Sequence, residues 1–177
     1  MTEKTAWVIL VNAADEEIGR EEKMLAHQYA MLHRAFSVFI FRERQGKKEL
    51  LLQQRNLNKY HAVGLWTNTC CSHPKPEEHC VQTSAENRLK EEMGLTVSLE
   101  KKGVFHYVAA FENGLYENEI DHVFVGTYDK EAVPFNKDEV ADCCWMEVSE
   151  VQEALRAYPE KYTPWFAEAL EIALRGS

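Results

Sequence analysis

The run Trp66-Thr67-Asn68-Thr69-Cys70-Cys71-Ser72-His73 sets a thiol and an imidazole two residues apart, and Pro74 closes it. A thiol can give or take a proton, and an imidazole can do the same or ligate a metal. The run therefore reads as part of a metal or catalytic pocket rather than as an ordinary core strand. Glu117 and Glu119 stand two apart in a stretch that reads as a strand, so both point to one face, and Asp121 joins them there. Carboxylates held side by side repel unless a divalent cation joins them. The alternative is the solvated face of an edge strand. His27 and His33 with His73 add three imidazoles. With Glu117 and Glu119 they would form a nitrogen and oxygen site suited to zinc, manganese or iron. Taken singly, each histidine reads more readily as a surface or core residue than as a ligand.

A second group lies on a helix that stops at Gly94. Val81, Ala85, Leu89 and Met93 recur at helical spacing as one apolar stripe, and Glu92 falls in the same arc. A carboxylate aimed at a core is unfavourable unless a cation or donors satisfy it. Arg88, one turn earlier, could be that cation; the plainer reading is an Arg88–Glu92 surface pair at i,i+4 spacing. Lys23, Arg55 and Lys59 could serve an anionic group, although scattered basic residues are usually solvated. Cys70, Cys71 and His73 with His79 and Cys80 also admit a small structural zinc knot, but without the C-x-x-C grip of common zinc modules. A buried inert thiol is the remaining reading of Cys71.

The elements that must position these residues alternate between strands and helices. Trp7 to Asn12 reads as a strand, and His33 to Phe41 as another, in which Ala35 and Ser37 alternate with Phe36, Val38 and Ile40. Gln45-Gly46-Lys47 turns the chain into a returning strand, Leu50 to Gln54. Val104 to Phe111 is apolar on both faces, like a central strand, and Glu112-Asn113-Gly114 leads from it into a strand over Tyr116 to Tyr128. Helices are expected from about Glu77 to Met93, after a capping-box pair Ser149 and Gln152, and after Thr163 with Pro164 at the first position. The last carries Phe166, Ala169, Leu170 and Ala173 as its apolar set. Hairpins with few strand–helix–strand crossovers point to α+β, a mixed β-sheet flanked by helices.

With 177 residues, 45% apolar and 28% charged, the chain has the proportions of one ordinary globular domain spanning 1–177. No stretch approaches the roughly 20 apolar residues that cross a bilayer. Met1-Thr2-Glu3-Lys4-Thr5 shows no signal pattern, so a cytoplasmic location is expected. The net charge of −9 argues against nucleic acid as a partner. It argues less against an anionic substrate, because a local basic cluster or bound metal can overrule it. Five cysteines, four of them in adjacent pairs, suggest reduced thiols.

One resemblance joins the scattered candidates. Residues 83–94, ending Glu91-Glu92-Met93-Gly94, resemble the second half of a Nudix box, R-E-hydrophobic-x-E-E-x-G. Asn87-Arg88 occupies the R-E positions, so the first metal-binding glutamate of that box is absent. This altered box, together with T-N-T-C-C-S-H-P, resembles the type I isopentenyl-diphosphate delta-isomerase family, a Nudix-like fold. Leu32-His33-Arg34-Ala35-Phe36-Ser37-Val38-Phe39, Leu51-Leu52-Gln53-Gln54-Arg55, Glu117-Asn118-Glu119 and Thr163-Pro164-Trp165 resemble further segments of it, in consistent order from Trp7 to Leu170. The chain departs at Val63, before Gly64, where the family often has proline.

The resemblance implies interconversion of isopentenyl and dimethylallyl diphosphate through a tertiary carbocation. It implies a manganese or zinc ion on His27, His33, His73, Glu117 and Glu119. It places the acid/base thiol on Cys71 rather than Cys70, and the opposing acid/base group on Glu119 with Tyr107. Trp165 would face the cation, and Lys23, Arg55, Lys59 and Arg88 would hold the diphosphate. Glu92 would hold a magnesium ion that enters with it. The expected partner is a small isoprenoid diphosphate, with no membrane or nucleic acid. The alternative is a Nudix hydrolase of a nucleoside-diphosphate derivative, which would need the box glutamate that Arg88 replaces.

Overall fold

His33–Arg44 (β3) is the strand about which the sheet is built. Tyr116–Thr127 (β8) runs parallel to it, from His33 opposite Glu119 to Phe41 opposite Thr127. Along its other flank β3 meets three antiparallel neighbours in turn. These are Trp7–Val11 (β1) at His33, Cys70–Ser72 (β6) at Phe36 to Val38, and Lys47–Arg55 (β4) from Phe41 onward. Glu17–Glu22 (β2) extends β1, Trp66–Thr67 (β5) and Val140–Glu147 (β9) pair with β4, and Glu100–Ala110 (β7) pairs with β8. The result is a nine-stranded mixed sheet in this computed structural model, which describes residues 6–59, 62–78 and 80–176. His79, one arm of the alternative zinc knot, and the first five residues lie outside them.

Helices cover both faces, as expected from the α+β pattern. Phe36, Val38, Ile40 and Cys70 pack against Ala85, Leu89 and Met93 of Val81–Met93 (α2). Phe39 and Phe41, on the alternate face of β3, pack against Val148–Ala157 (α3) and Phe166–Ala173 (α4). Phe36, Phe39, Phe124 and Phe166 are each under 2% exposed. Burial of a side chain of that size contributes roughly 1.5–3 kcal/mol. A six-residue helix, Lys23–Gln28 (α1), precedes β3. Among the described residues no helix is long and apolar enough to cross a membrane.

Several boundaries differ from expectation, each for a local reason. α2 starts at Val81 rather than near Glu77. Glu78 instead accepts from the Ser84 hydroxyl and the Asn87 amide, both at 2.6 Å, and so ties the preceding loop to the helix flank. The helix does end at Gly94, with φ of +70°, and a Cβ there would strike the Pro134 carbonyl. No capping box opens α3: the helix begins at Val148, and the Ser149 hydroxyl donates to Glu147 at 2.9 Å. Pro164 lies in a turn before α4, where Phe166 N–H closes onto the Thr163 carbonyl at 3.2 Å. β7 is not central. It pairs with β8 alone, and its Val104 and Val108 are exposed, while the supposed edge residues Glu117 and Glu119 lie buried on β8.

Candidate active site

Strand register places the candidates on one face. Along β3, His33, Ala35 and Ser37 share a side; Cys71 pairs with Ser37, Asp121 with Ala35 and Glu119 with His33. Tyr107 pairs with Glu119 from β7, and His73 follows Cys71 by two residues. The thiol of β6 and the carboxylates of β8 therefore flank β3 on opposite sides, about 10 Å apart at two strand spacings. Cys71, His73, Glu117, Glu119, Asp121 and Trp165 line one cavity of about 70 Å³ with Lys23, Arg55, Lys59 and Arg88. Through Lys23, Ser72, His73 and Arg88 it adjoins a second cavity of about 590 Å³.

One ligand atom from each of His27, His33, His73 and Glu119 lies within 4.8 Å of all the others. Nε2 of His33 and of His73 stand 3.2 and 3.0 Å from the same oxygen, Glu119 Oε1. The Nδ1 atoms of His27 and His33 face the carbonyls of Lys23 and Met31 at 2.7 and 2.8 Å. A carbonyl only accepts, so both Nδ1 atoms donate, and in the neutral ring Nε2 is left as a lone pair. Burial holds His27 down to about 4 and His73 to about 3, so both are neutral at pH 7. The three rings and the Glu119 carboxylate thus bring nitrogen and oxygen donors to one point, where a cation could be held. Three imidazoles and one carboxylate are a donor set that could hold a divalent metal ion. Glu117 is buried beside this group but outside it; burial first, then the Glu119 charge, pushes its carboxyl well above the usual range.

Among the described residues, which leave out His79, none of Cys70, Cys71 or Cys80 joins the metal cluster, and Cys80 is exposed against Thr83. Burial pushes the Cys71 thiol up to about 12, against the pull of Arg55, so it stays protonated at neutral pH. Cys70 points into the opposite core, its thiol 3.5 Å from Glu92 Oε1. Trp165 is 5% exposed, with the Tyr107 ring edge-on at 6.0 Å and the Arg55 guanidinium 5.4 Å from its ring centre. The Tyr107 hydroxyl and Asp121 Oδ1 are buried without a hydrogen-bond partner among the described residues. Each such group costs roughly 1–3 kcal/mol; Asp121 lines the cavity, where a ligand could satisfy it, whereas Tyr107 does not.

The basic set is gathered in a chain whose net charge is −9. Burial and the neighbouring Lys59, Arg55 and Arg88 lower Lys23 to about 8. Arg88 ion-pairs with Glu92 Oε2 at 2.7 Å and Glu139 at 2.9 Å; the i,i+4 pair is real but buried at its acidic end. Glu92 is 2% exposed, does not line the cavity, and also accepts from Gln53 at 3.0 Å. Arg88 thus covers the carboxylate expected to hold magnesium.

The NUDIX domain family model matches residues 31–166. Isopentenyl-diphosphate Delta-isomerase 1 of Aromatoleum aromaticum is 46% identical over 164 residues, 93% of this chain and 90% of that protein. The chain belongs to the isopentenyl-diphosphate Delta-isomerase family. The isomerase of Serratia proteamaculans is 43% identical over 161 residues, 90% of this chain and 86% of its own. The crystal structure of DR0079 from Deinococcus radiodurans has a TM-score of 0.76 at 18% identity, covering 96% of this chain and 99% of that one. A C. elegans Ap4A hydrolase superposes with a TM-score of 0.56, also at 18% identity, over 81% and 98% of the two chains. Those likenesses show the fold alone.

Within this family member, residues that carry no obvious chemistry hold the site together. Asn68 accepts from Trp165 Nε1 at 3.1 Å and from the Thr67 hydroxyl at 2.8 Å. It donates to the carbonyls of Val38 and Cys70 at 3.1 and 2.9 Å, so one amide ties the indole to the strand that bears Cys71. The Ser37 hydroxyl donates to Asp121 Oδ2 at 2.8 Å. The available signal was alternation: Ser37 and Asp121 fall on the site face of their strands, whereas Asn68 has only its place in the opening run.

Proposed function

We propose that this chain, as a single Nudix-like domain over 1–177, converts isopentenyl diphosphate to dimethylallyl diphosphate and back. The observation that carries the reading is the cavity in which a protonated thiol and a buried carboxylate approach from opposite flanks of β3. The reaction adds a proton at the terminal alkene carbon, leaves a tertiary carbocation, and removes a proton two carbons away. It needs one acid and one base on opposite sides of a short allyl unit. Cys71 serves one side, and Glu119 with Tyr107 the other. Glu119 engages both imidazoles through Oε1, leaving Oε2 for the proton. The Trp165 ring faces the cation, and the buried walls exclude water that would trap it as an alcohol.

Lys23, Arg55, Lys59 and Arg88 bind the diphosphate. His27, His33, His73 and Glu119 would hold manganese or zinc, with Glu117 beside them; the ion would fix Glu119 in place and tune its basicity. Glu92 would help to hold a magnesium ion brought by the diphosphate once Arg88 no longer pairs with its Oε2. The five free cysteines suit a cytoplasmic setting.

Incubation with isopentenyl diphosphate, magnesium and manganese is the test. Dimethylallyl diphosphate without released phosphate is the expected outcome; phosphate without isomer would replace this reading with the hydrolase.

A further inference from the structure

The E-N-E element carries a middle residue that the reaction does not use. Strand alternation turns Asn118 to the face opposite Glu117 and Glu119. Its amide Nδ2 donates to the Ala30 carbonyl at 2.9 Å, and its Oδ1 lies 2.6 Å from His106 Nε2. Ala30 sits midway between His27 and His33, three residues from each. Its φ of +52° is left-handed, a conformation that is costly for alanine and open to glycine. The turn around it ends α1: Met31 N–H closes onto the Ala26 carbonyl at 2.9 Å. The Met31 carbonyl in turn accepts from His33 Nδ1 at 2.8 Å.

One short path therefore joins the ligand strand to the histidine turn. It runs from the backbone of Glu119, through its neighbour Asn118, to Ala30 and Met31 and so to the His33 ring. His27 lies on the other side of the same turn, its ring held by the Lys23 carbonyl. Three of the four converging donors hang on this connection. A left-handed alanine persists only where its surroundings hold it, and such strain collects at functional sites. Here the holding group is a side chain with no contact to the cavity.

We propose that Asn118 is a positioning residue of the metal centre, clamping the strained turn at Ala30 so that His27 and His33 stay in register with Glu119. The inference rests on the manganese or zinc reading of the four donors.

The test is calorimetric titration of the full chain, freed of metal, with Mn2+ and with Zn2+ against a competing chelator at neutral pH. Partners behind metal ligands are typically worth roughly 10- to 100-fold in affinity, so Asn118→Ala is expected to weaken binding by that factor. Thermal melting of the metal-free variant should stay close to that of the parent. His106→Ala keeps the Asn118–Ala30 bond and removes only the partner of Asn118 Oδ1, so it is expected to weaken binding less than Asn118→Ala does. Ala30→Gly added to Asn118→Ala is expected to recover part of the loss, because glycine adopts the turn without the clamp. An Asn118→Ala protein that melts lower but binds both ions as the parent does would overturn the clamp alone. A parent that binds neither ion would overturn the metal reading, and the clamp with it.

Discussion

Replacing the two adjacent cysteines one at a time separates chemistry from packing. Cys70 is fully buried with Phe36, Val38 and Leu89, and its thiol touches Glu92 rather than the cavity. Cys70→Ala removes one buried sulfur and leaves a small void, worth roughly 1–2 kcal/mol. For a chain of this size that lowers the melting temperature by about 3–6 °C. The reaction would feel the change only through Glu92 and Arg88, and a disturbance of about 1 kcal/mol there lowers kcat about fivefold. Cys71 is the opposite case, half-buried at the cavity wall. Cys71→Ala should leave melting within about 2 °C, since little core packing is lost. Removing the proton donor should lower kcat by roughly 10²–10⁴-fold. The assay is conversion of isopentenyl diphosphate at saturation, with melting followed by circular dichroism. A dead Cys70→Ala protein beside an active Cys71→Ala protein would refute the assignment of the thiol.

Three further outcomes follow from the same cavity. Lys23, lowered to about 8, loses its charge as pH rises through that value, so kcat/KM should fall on the alkaline side near pH 8. Lys23→Arg should remove that limb, and an unchanged profile would assign the ionisation elsewhere. Trp165→Leu should lower kcat about 30-fold, the equivalent of the roughly 2 kcal/mol a desolvated cation–π contact provides; a loss below threefold would argue that the ring does not face the cation. Chelation should abolish turnover. Manganese or zinc at 100 times its dissociation constant should then stabilise the fold by about 2.7 kcal/mol, read as a rise in melting temperature. A melt indifferent to both ions, with His33→Ala still active, would sink the metal site.

What the sequence discloses depends on how far a pattern runs. β3 alternates and then runs apolar to Phe41, and α2 carries a full stripe to a left-handed glycine, so both are legible. β5 and β6 have two and three residues, too few for a period, and α1 has six, too short to form without the sheet beneath it. β2 and β9 alternate weakly because most of their residues are only partly covered or exposed. Val104 to Phe111 reads as central because composition alone cannot tell a covered face from an exposed one; Val108 is 62% exposed. The site shows the same limit. The E-x-E spacing discloses that Glu117 and Glu119 share a face, but not that the face is inside. His33 and Glu119 stand 86 positions apart, and no local spacing predicts that they meet. The family resemblance named these residues as candidate ligands, and the parallel pairing of β3 with β8 explains physically how His33 and Glu119 meet. A slip of one residue in that pairing would turn both glutamates to the opposite face and bring Asn118 to the histidines. It would also exchange Val123 and Phe124 between the two cores on opposite faces of the sheet. The core packing that selects the register for folding therefore also brings the candidate metal ligands together, and a mutation that weakens one should weaken the other.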